Sequence, residues 1–201
     1  MMGQVYVISG PSGVGKSTAI SLLIKDLPDL CYSISHTSRR PRGKEADGVD
    51  YHFVDRETFK QMVHKGEFLE YAEVYKDWYG TSFQSLRNQT EKGIDVIMDV
   101  DTQGAKNVRK HFEDSVLIYI LPPSLPVLEE RLRQRATDDE ASILTRFERA
   151  LSEIKECLDY DYIVVNEDLN DTVKDLKAII IADRCRTSRQ ISRVSGMVNA
   201  I

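Results

Sequence analysis

The chain has 201 residues, of which 41% are hydrophobic and 29% are charged, and its formal net charge is −5. This length and apolar content suit one globular domain, and no apolar run reaches the roughly 20 residues that a membrane span requires. A net negative charge is atypical of proteins that bind nucleic acid through a basic face, so we expect neither a membrane nor a nucleic-acid partner.

The three cysteines, Cys31, Cys157 and Cys185, are widely spaced and form no C-x-x-C pair. This spacing favours reduced thiols over a disulfide framework or a zinc site. The first predicted strand begins at Val5, so we expect no signal peptide before it. These features together predict a cytoplasmic enzyme, and the sequence leaves the number of subunits open, a homo-oligomer included.

The strand predicted for Val5–Ser9 is followed by the run GPSGVGKST. This run matches G-x-x-x-x-G-K-[ST], and the helix predicted for 15–27 follows it and ends at Pro28. The glycines let backbone N–H groups turn toward phosphate oxygens, Lys16 adds a positive charge, and Ser17 offers a hydroxyl to Mg²⁺. The motif predicts a nucleoside triphosphate site formed by Gly10, Pro11, Ser12, Gly13, Val14, Gly15, Lys16, Ser17 and Thr18.

From about residue 33 to residue 90 the sequence is polar and aromatic, with many arginines, tyrosines and turn residues. Short alternating pieces such as 51–54 (YHFV) replace the continuous apolar runs. Alternation of this kind is typical of strands with one buried face. We therefore predict an inserted lobe of mixed or antiparallel strands.

Three arginines of this lobe, Arg39, Arg40 and Arg42, lie within four residues, and Pro41 holds the stretch extended. An extended chain places Arg40 opposite Arg39, whereas Arg42 can rejoin Arg39 after the turn. Arginine binds phosphate through two parallel hydrogen bonds, which makes the cluster a candidate second phosphate site. By spacing alone, a solvated basic turn is the more common interpretation.

After the lobe, short apolar strands alternate with helices. The strands are predicted at 95–100, 116–121 and 162–165, and the helices at 102–110, 124–135, 138–158 and 171–186. Short, continuously apolar strands are typical of a parallel sheet covered by helices on both faces. The alternation predicts an α/β fold that binds nucleotide at the carboxyl ends of its strands. We expect the arginine-containing tail to fray.

Two carboxylates, Asp99 and Asp101, end the predicted strand beside the phosphate loop. A carboxylate at this place holds Mg²⁺ directly or through water, as a Walker-B aspartate does, and Asp99 is the candidate. Asp101 has the alternative role of capping the helix that begins at Thr102.

Residues 135–140 (RATDDE) separate the helices predicted at 124–135 and 138–158. Thr137 and Glu140 form a capping box that starts the second helix. A short loop between helices, flanked by arginines, suits a mobile lid. Arg131, one helical turn before Arg135, either joins the lid arginines or is solvated.

Several segments resemble the guanylate kinases, in the order of that family: SISHTSRRPR with GVDYHFV, GEFLEYAEV, WYGTS, IMDVDTQGAKNV and DYIVVNEDL. A GTPase is disfavoured because no N-K-x-D motif occurs, and the comparable strand end reads Asn166-Glu167-Asp168. The resemblance extends from Val5 to about Arg186. It implies a P-loop kinase that catalyses ATP + GMP ⇌ ADP + GDP with Mg²⁺. The implied single domain has a core (1–33, 91–127 and 155–201), a GMP-binding lobe (34–90) and a short helical lid (about 128–154).

Matching positions of the family imply roles for individual residues. Glu70 and Thr81 resemble the residues that read guanine, and Asp101 resembles a second carboxylate on the base side. Lys16, Arg135 and Arg146 resemble the catalytic cations, the last two from the lid. The residues that resemble the family's GMP-phosphate site are Ser35, Arg39, Arg42, Tyr51 and Tyr79. The resemblance also implies Ser17 and Asp99 as metal-binding residues, and dGMP as a further acceptor.

The chain departs from the family pattern at Gly43-Lys44-Glu45, where the glycine comes one place earlier, and at Ala136, where glycine is frequent. Two alternatives remain open. One is a binding module with this fold and no catalysis, which the intact phosphate loop argues against. The other is a related kinase with another phosphorylated acceptor, which Glu70 together with Thr81 argues against.

Overall fold

Five parallel strands form the central sheet of the computed structural model, which describes residues 2–74, 76–134 and 140–198. In chain order the strands are β1 (Val5–Ser9), β2 (Leu30–Tyr32), β3 (His36–Thr37), β4 (His52–Phe53), β5 (Phe68–Val74), β6 (Asp77–Ser82), β7 (Asp95–Asp99), β8 (Val116–Leu121) and β9 (Tyr162–Val165). The helices are α1 (Lys16–Asp26), α2 (Arg56–His64), α3 (Phe83–Glu91), α4 (Thr102–His111), α5 (Leu125–Gln134), α6 (Glu140–Ile154), α7 (Leu169–Arg184) and α8 (Thr187–Val198), with a 3-10 helix at Lys155–Asp159.

The central sheet has the order β2-β7-β1-β8-β9, and helices cover both of its faces. All five residues of β1 are buried, because alternate side chains enter the two layers. One layer joins the sheet to α1 and α7 through Ile8, Ile20, Leu23, Ile97, Leu176 and Ile180. The other joins it to α3 and α4 through Val7, Leu86, Val96, Met98 and Val108. This arrangement confirms the predicted parallel sheet covered by helices.

Strand β2 was not predicted, although residues 1–33 were assigned to the core. It pairs in parallel with β7, with Leu30 opposite Asp95 and Tyr32 opposite Ile97. Three residues at the edge of a sheet are too few to show a periodic pattern. The strand is therefore visible only once β7 lies beside it.

The inserted segment forms a second sheet, of order β4-β3-β6-β5. Strands β3 and β4 are parallel, whereas β6 is antiparallel to both β3 and β5. The predicted mixed lobe is thus confirmed. Aromatic rings pack within this lobe: Phe59 from α2 stacks on Phe68 with ring centroids 4.5 Å apart, and Trp78 lies 6.0 Å from Phe59. Ser82 then caps α3, which carries the chain back to the central sheet.

The two predicted lid helices correspond to α5 and α6. They pack against each other through a small apolar cluster of Leu128, Leu132, Ile143, Phe147, Ala150 and Ile154. The predicted loop between them, with Arg135, Ala136 and Thr137, lies outside the described residues. Of the helices in the described ranges, none is both long and apolar enough to cross a membrane.

The expectation of a fraying tail was wrong for the start of α8. Arg189 donates hydrogen bonds to Asp95 Oδ1 (2.7 Å), Asp183 Oδ2 (2.9 Å) and the Tyr6 hydroxyl (2.9 Å). Arg184 Nε donates to the other oxygen of Asp95 at 2.7 Å. Both aspartates are buried, and buried carboxylates require charged or hydrogen-bonding partners. The arginines of the tail are those partners.

Candidate active site

A cavity of about 620 Å³ lies at the carboxyl ends of β1 and β7. The phosphate loop lines one side of it through Gly10, Ser12, Gly13, Gly15, Lys16 and Ser17. Across from the loop are the carboxylates Glu70, Asp99 and Asp101, and α6 adds Arg146, Arg149 and Glu153. A larger cavity of about 760 Å³ lies beside Met2, Ser115 and α8 and has no phosphate-loop residue in its wall. The smaller cavity is therefore the one lined by the predicted phosphate loop and carboxylates. The candidates of the inserted lobe that are not among its lining residues are Ser35, Arg39, Arg42, Tyr51, Tyr79 and Thr81.

The phosphate loop ends at Gly15, whose φ of 95° lies in the left-handed region that favours glycine. Gly15 is the N-terminal cap of α1, and within the described ranges no side chain donates or accepts a cap hydrogen bond there. The first backbone N–H groups of α1 consequently remain available to an anion, and the helix dipole favours negative charge at this end.

Lys16 lies between the loop and Asp99. Its Nζ donates hydrogen bonds to the carbonyl oxygens of Gly10 (2.7 Å) and Pro11 (3.3 Å), and it lies 3.8 Å from Asp99 Oδ1. Burial raises the pKa of the Asp99 carboxyl, while Lys16 and the Ser17 hydroxyl act in the opposite direction. A lysine, a hydroxyl and a carboxylate are thus grouped at the loop. Of the remaining loop residues, Pro11 and Val14 are buried and Thr18 is exposed on α1.

Asn166, at the end of β9, supports the loop and was missed as a site residue. Its Nδ2 donates to the Val14 carbonyl oxygen at 2.6 Å, and its Oδ1 accepts from the Thr172 hydroxyl at 2.9 Å. Arg131 donates from Nη2 to the Asn166 carbonyl oxygen at 3.1 Å, so Arg131 is bonded to the protein behind the loop and is not simply solvated. The available signal was an amide side chain directly after the apolar run that predicts β9.

Glu45 holds the arginine cluster together, although it was not predicted as a site residue. Arg39 donates from Nη1 and Nη2 to the two carboxylate oxygens of Glu45, at 2.6 and 2.8 Å, and from Nε to the Tyr79 hydroxyl at 3.2 Å. The Arg39 Cζ lies 5.0 Å from the centroid of the Tyr51 ring. Since only 8% of the Arg39 side chain is exposed, the alternative of a solvated basic turn is wrong for this residue.

Glu45 also ties Arg42 into the same turn. The Arg42 backbone N–H donates to Glu45 Oε2 at 2.8 Å, and the Glu45 N–H donates back to the Arg42 carbonyl oxygen at 3.0 Å. Gly43, with φ of 55°, supplies the left-handed residue of this turn. Hydrogen bonds from Arg39 and from the Arg42 backbone lower the pKa of Glu45 to about 2. Gly43, which comes one place earlier than the glycine of the family pattern, is therefore compatible with a closed turn.

The base-reading candidates lie on neighbouring strands, with Glu70 of β5 opposite Thr81 of β6. The hydroxyls of Thr81 and Ser35 are 3.1 Å apart, which connects this pair to the start of β3. Although solvent reaches Glu70 through the cleft, the surrounding protein and then the charge of Asp101 raise its pKa to about 7, and Thr81 acts in the opposite direction.

Asp101 has the capping role that the sequence offered as an alternative to base reading. Its Oδ1 accepts a hydrogen bond from the Gly104 N–H at 2.8 Å and so caps α4. The residue nevertheless lines the cavity, where its charge acts on Glu70. Arg146 lies on the same wall, whereas the other predicted lid cation, Arg135, is outside the described residues.

Comparison with known proteins agrees with this geometry. The sequence model described as guanylate kinase matches residues 2–183. A guanylate kinase of Vibrio vulnificus (strain YJ016) is 45% identical over 201 residues, which cover 99% of this chain and 97% of the relative. A guanylate kinase of Nitrosospira multiformis is 45% identical over 196 residues, covering 98% of this chain and 93% of the relative.

Solved structures show the same relationship. The crystal structure of guanylate kinase from Anaplasma phagocytophilum superposes with a TM-score of 0.66 at 34% identity, covering 94% of this chain and 89% of that one. An SH3-kinase fragment of tight junction protein 3 has a TM-score of 0.52 at 14% identity, covering 92% and 59% of the two chains, which shows similarity of fold alone. A phosphate loop, a facing carboxylate and full-length relatives lead to one conclusion: the chain belongs to the guanylate kinase family.

Proposed function

We propose that this chain transfers the γ-phosphoryl group of ATP to GMP, giving ADP and GDP in a reversible reaction of guanine nucleotide metabolism. The observation that carries this proposal is the joint position of Lys16 and Glu70 on the wall of one cavity. A phosphate-binding loop and a candidate guanine-reading carboxylate thereby share one space. Phosphoryl transfer depends mainly on such positioning of its two reactants.

Glu70 and Thr81 are the proposed guanine readers. Guanine presents the N1–H and N2–H₂ donors side by side, and an ionised carboxylate accepts both. Adenine presents an acceptor at N1 and would leave Glu70 without a donor. Sites built on such pairing reject analogues by about 10⁴-fold. Asp101 is the proposed second carboxylate on the base side.

The lobe of residues 34–90 is the proposed GMP-binding part. Its five phosphate-binding candidates are Ser35, Arg39, Arg42, Tyr51 and Tyr79. Arg39 contacts both tyrosines. Glu45 bonds to Arg39 and to the Arg42 backbone, whereas Ser35 contacts Thr81. Arginine forks bind phosphate oxygens with specific geometry. Glu45 accepts one hydrogen bond from each Nη group of Arg39, so in this proposal a phosphate bound by Arg39 shares the guanidinium with Glu45 or replaces it.

Residues 128–154 are the proposed lid. In this proposal Arg146 and Arg135 approach the transferring phosphoryl group when the lid closes, and Lys16 neutralises charge on the β- and γ-phosphates. Closure also removes water, which would otherwise consume ATP without an acceptor. No general base is needed, since the GMP phosphate is already an anionic nucleophile.

Mg²⁺ is the proposed cofactor, with Ser17 and Asp99 as the residues that would hold it. The donor set fits a hard cation: a hydroxyl and a carboxylate interact beside the phosphate loop. When bound, Mg²⁺ neutralises phosphate charge and orients the phosphate chain. We further propose that dGMP is accepted, because the assigned residues bind base and phosphate. Three free cysteines support a location in the reducing cytoplasm.

The test is ADP release from ATP and Mg²⁺ with GMP, AMP, UMP or no acceptor. We expect rapid turnover with GMP and little without an acceptor. Equal rates with several acceptors would favour a kinase of another specificity. No turnover by folded protein that still binds GMP would favour a binding module.

A further inference from the structure

Helix α6 has two different faces. Ile143, Phe147, Ala150 and Ile154 belong to the apolar cluster shared with α5. Arg146, Arg149 and Glu153 instead lie on the wall of the cavity that contains the phosphate loop. These three residues are spaced by three and four positions, so they form one stripe on the helix. Only Arg146 has a role in the proposed function.

Arg149 is held in a defined orientation by Glu153. Its Nε donates to Glu153 Oε1 at 2.7 Å, and the Arg149 side chain is 70% exposed whereas that of Glu153 is 20% exposed. In the part of the chain that the structure describes, neither Nη group of Arg149 makes a hydrogen bond. The Nε contact therefore leaves the terminal edge of the guanidinium, with both Nη groups, open for a second partner.

We propose that Arg149 is a further phosphate-binding residue, which contacts the phosphate chain of the ATP donor, and that Glu153 positions it. This inference rests on the proposed function, because it assigns Arg149 to the donor side of the same reaction. The terminal edge of a guanidinium matches two oxygens of one phosphate group. ATP places several negative charges beside the loop, and a cation that lines the same cavity neutralises part of them.

The simpler alternative is an exposed ion pair that stabilises α6. Such exposed pairs contribute little to stability, because solvent screens the two charges. Here the pair lies on the stripe that faces the phosphate loop, and its acidic partner is the more buried of the two residues. An isolated ion pair explains neither observation, whereas a preoriented phosphate-binding arginine explains both.

The experiment measures Mg·ATP and Mg·ADP binding by calorimetry in the absence of GMP, for wild type, Arg149→Gln and Lys174→Gln. Lys174 is the matched control, since it is an exposed cation in an ion pair with Asp171 on α7, away from the cavity. We expect Arg149→Gln to weaken ATP binding about tenfold, the loss expected for one charge-assisted contact, and Lys174→Gln to leave it unchanged.

Two further variants separate geometry from charge. Arg149→Lys keeps the charge but lacks the two-donor edge, so it should recover only part of the affinity. Glu153→Gln should weaken ATP binding less than Arg149→Gln does. The proposal would be overturned if Arg149→Gln bound both nucleotides with wild-type affinity and had an unchanged KM for ATP. Equal midpoints of thermal unfolding would show that the variants are folded. The calorimetric measurement contains no GMP. A wild-type protein that fails to phosphorylate GMP would therefore contradict the proposed function, while the effect of Arg149→Gln on ATP binding would still test the role of Arg149.

Discussion

The side-chain amide of Asn166 donates a hydrogen bond to the carbonyl oxygen of Val14, with 2.6 Å between Nδ2 and O. This bond joins the end of β9 to the middle of the phosphate loop. The same amide lies where a side chain on Gly15 would be, since a Cβ there would be 2.7 Å from Nδ2. Asn166 therefore supports the loop from the end of β9, and it is not among the residues that line the cavity.

Replacing Asn166 with alanine should destabilise both the fold and the loop. The Val14 carbonyl would lose its side-chain partner, which costs roughly 1–3 kcal/mol of unfolding free energy. The Thr172 hydroxyl would keep the Asp168 carbonyl oxygen as its acceptor. We also expect weaker ATP binding. Urea unfolding and calorimetry measure the two effects, with the exposed Asn170→Ala as control. Wild-type stability of Asn166→Ala would contradict the assigned support.

Lys16→Ala should reduce kcat by about 10² to 10³, the range observed when one preorganised charge-stabilising donor is removed. GMP binding should largely survive, because the phosphate candidates of the lobe are separate from the loop. Steady-state kinetics and GMP titration check both outcomes. Lys25→Ala, exposed near the other end of α1, is the control. Unchanged turnover would refute the phosphate-loop assignment.

Arg39→Lys should raise the KM for GMP by about 10- to 100-fold, because lysine cannot form the two parallel hydrogen bonds and loses one or more charge-assisted contacts. The KM for ATP should change little. Arg40→Lys makes the same chemical change at the neighbouring exposed position and should behave like wild type. An unchanged KM for GMP in Arg39→Lys would show that this position acts only through its charge and would contradict the proposed two-bond contact with phosphate.

GMP binding should strengthen as the pH rises through about 7, the pKa to which burial and Asp101 raise Glu70. Below this pH the free carboxyl is protonated and does not accept both guanine donors; above it the carboxylate does. GMP titrations at several pH values measure the effect. Glu70→Gln should bind GMP more weakly and discriminate less against AMP. Its remaining pH dependence reports the GMP phosphate, which titrates near pH 6. Identical pH profiles would place base reading elsewhere.

Arg189→Met should lower the unfolding free energy by roughly 1–3 kcal/mol, since it removes one charge-assisted partner from each of the buried Asp183 and Asp95. Asp183 keeps the Tyr6 hydroxyl and Arg186, whose Nε lies 3.2 Å from Asp183 Oδ1. Arg184 still pairs with Asp95, which limits the loss. Urea unfolding measures the change. The control is Arg193→Met, an exposed position on the same helix. Activity of the folded variant should stay near that of wild type, because Arg189 is not among the residues that line the cavity with the phosphate loop.

Much of the fold could be predicted from local sequence. The predicted strands at 116–121 and 162–165 match β8 and β9 to the residue, and the helix predicted for 15–27 differs from α1 by one residue at each end. Runs of apolar residues and a proline act over a few positions, so a local pattern contains this information. The three-residue β2 lacks such a pattern, because its burial comes from β7.

The phosphate loop, the alternation of strands and helices, and the candidate residues that resemble a known family can all be recognised in the sequence. Which of these residues contact one another, and which side chains support them, depends on the packing of distant segments. Asn166 contacts Val14 across 152 positions of the chain, and Arg189 contacts Asp95 across 94. Such contacts follow from the strand order β2-β7-β1-β8-β9, which brings distant segments together. A local motif specifies its own backbone geometry, whereas partners far along the chain are specified by the packing of the whole sheet.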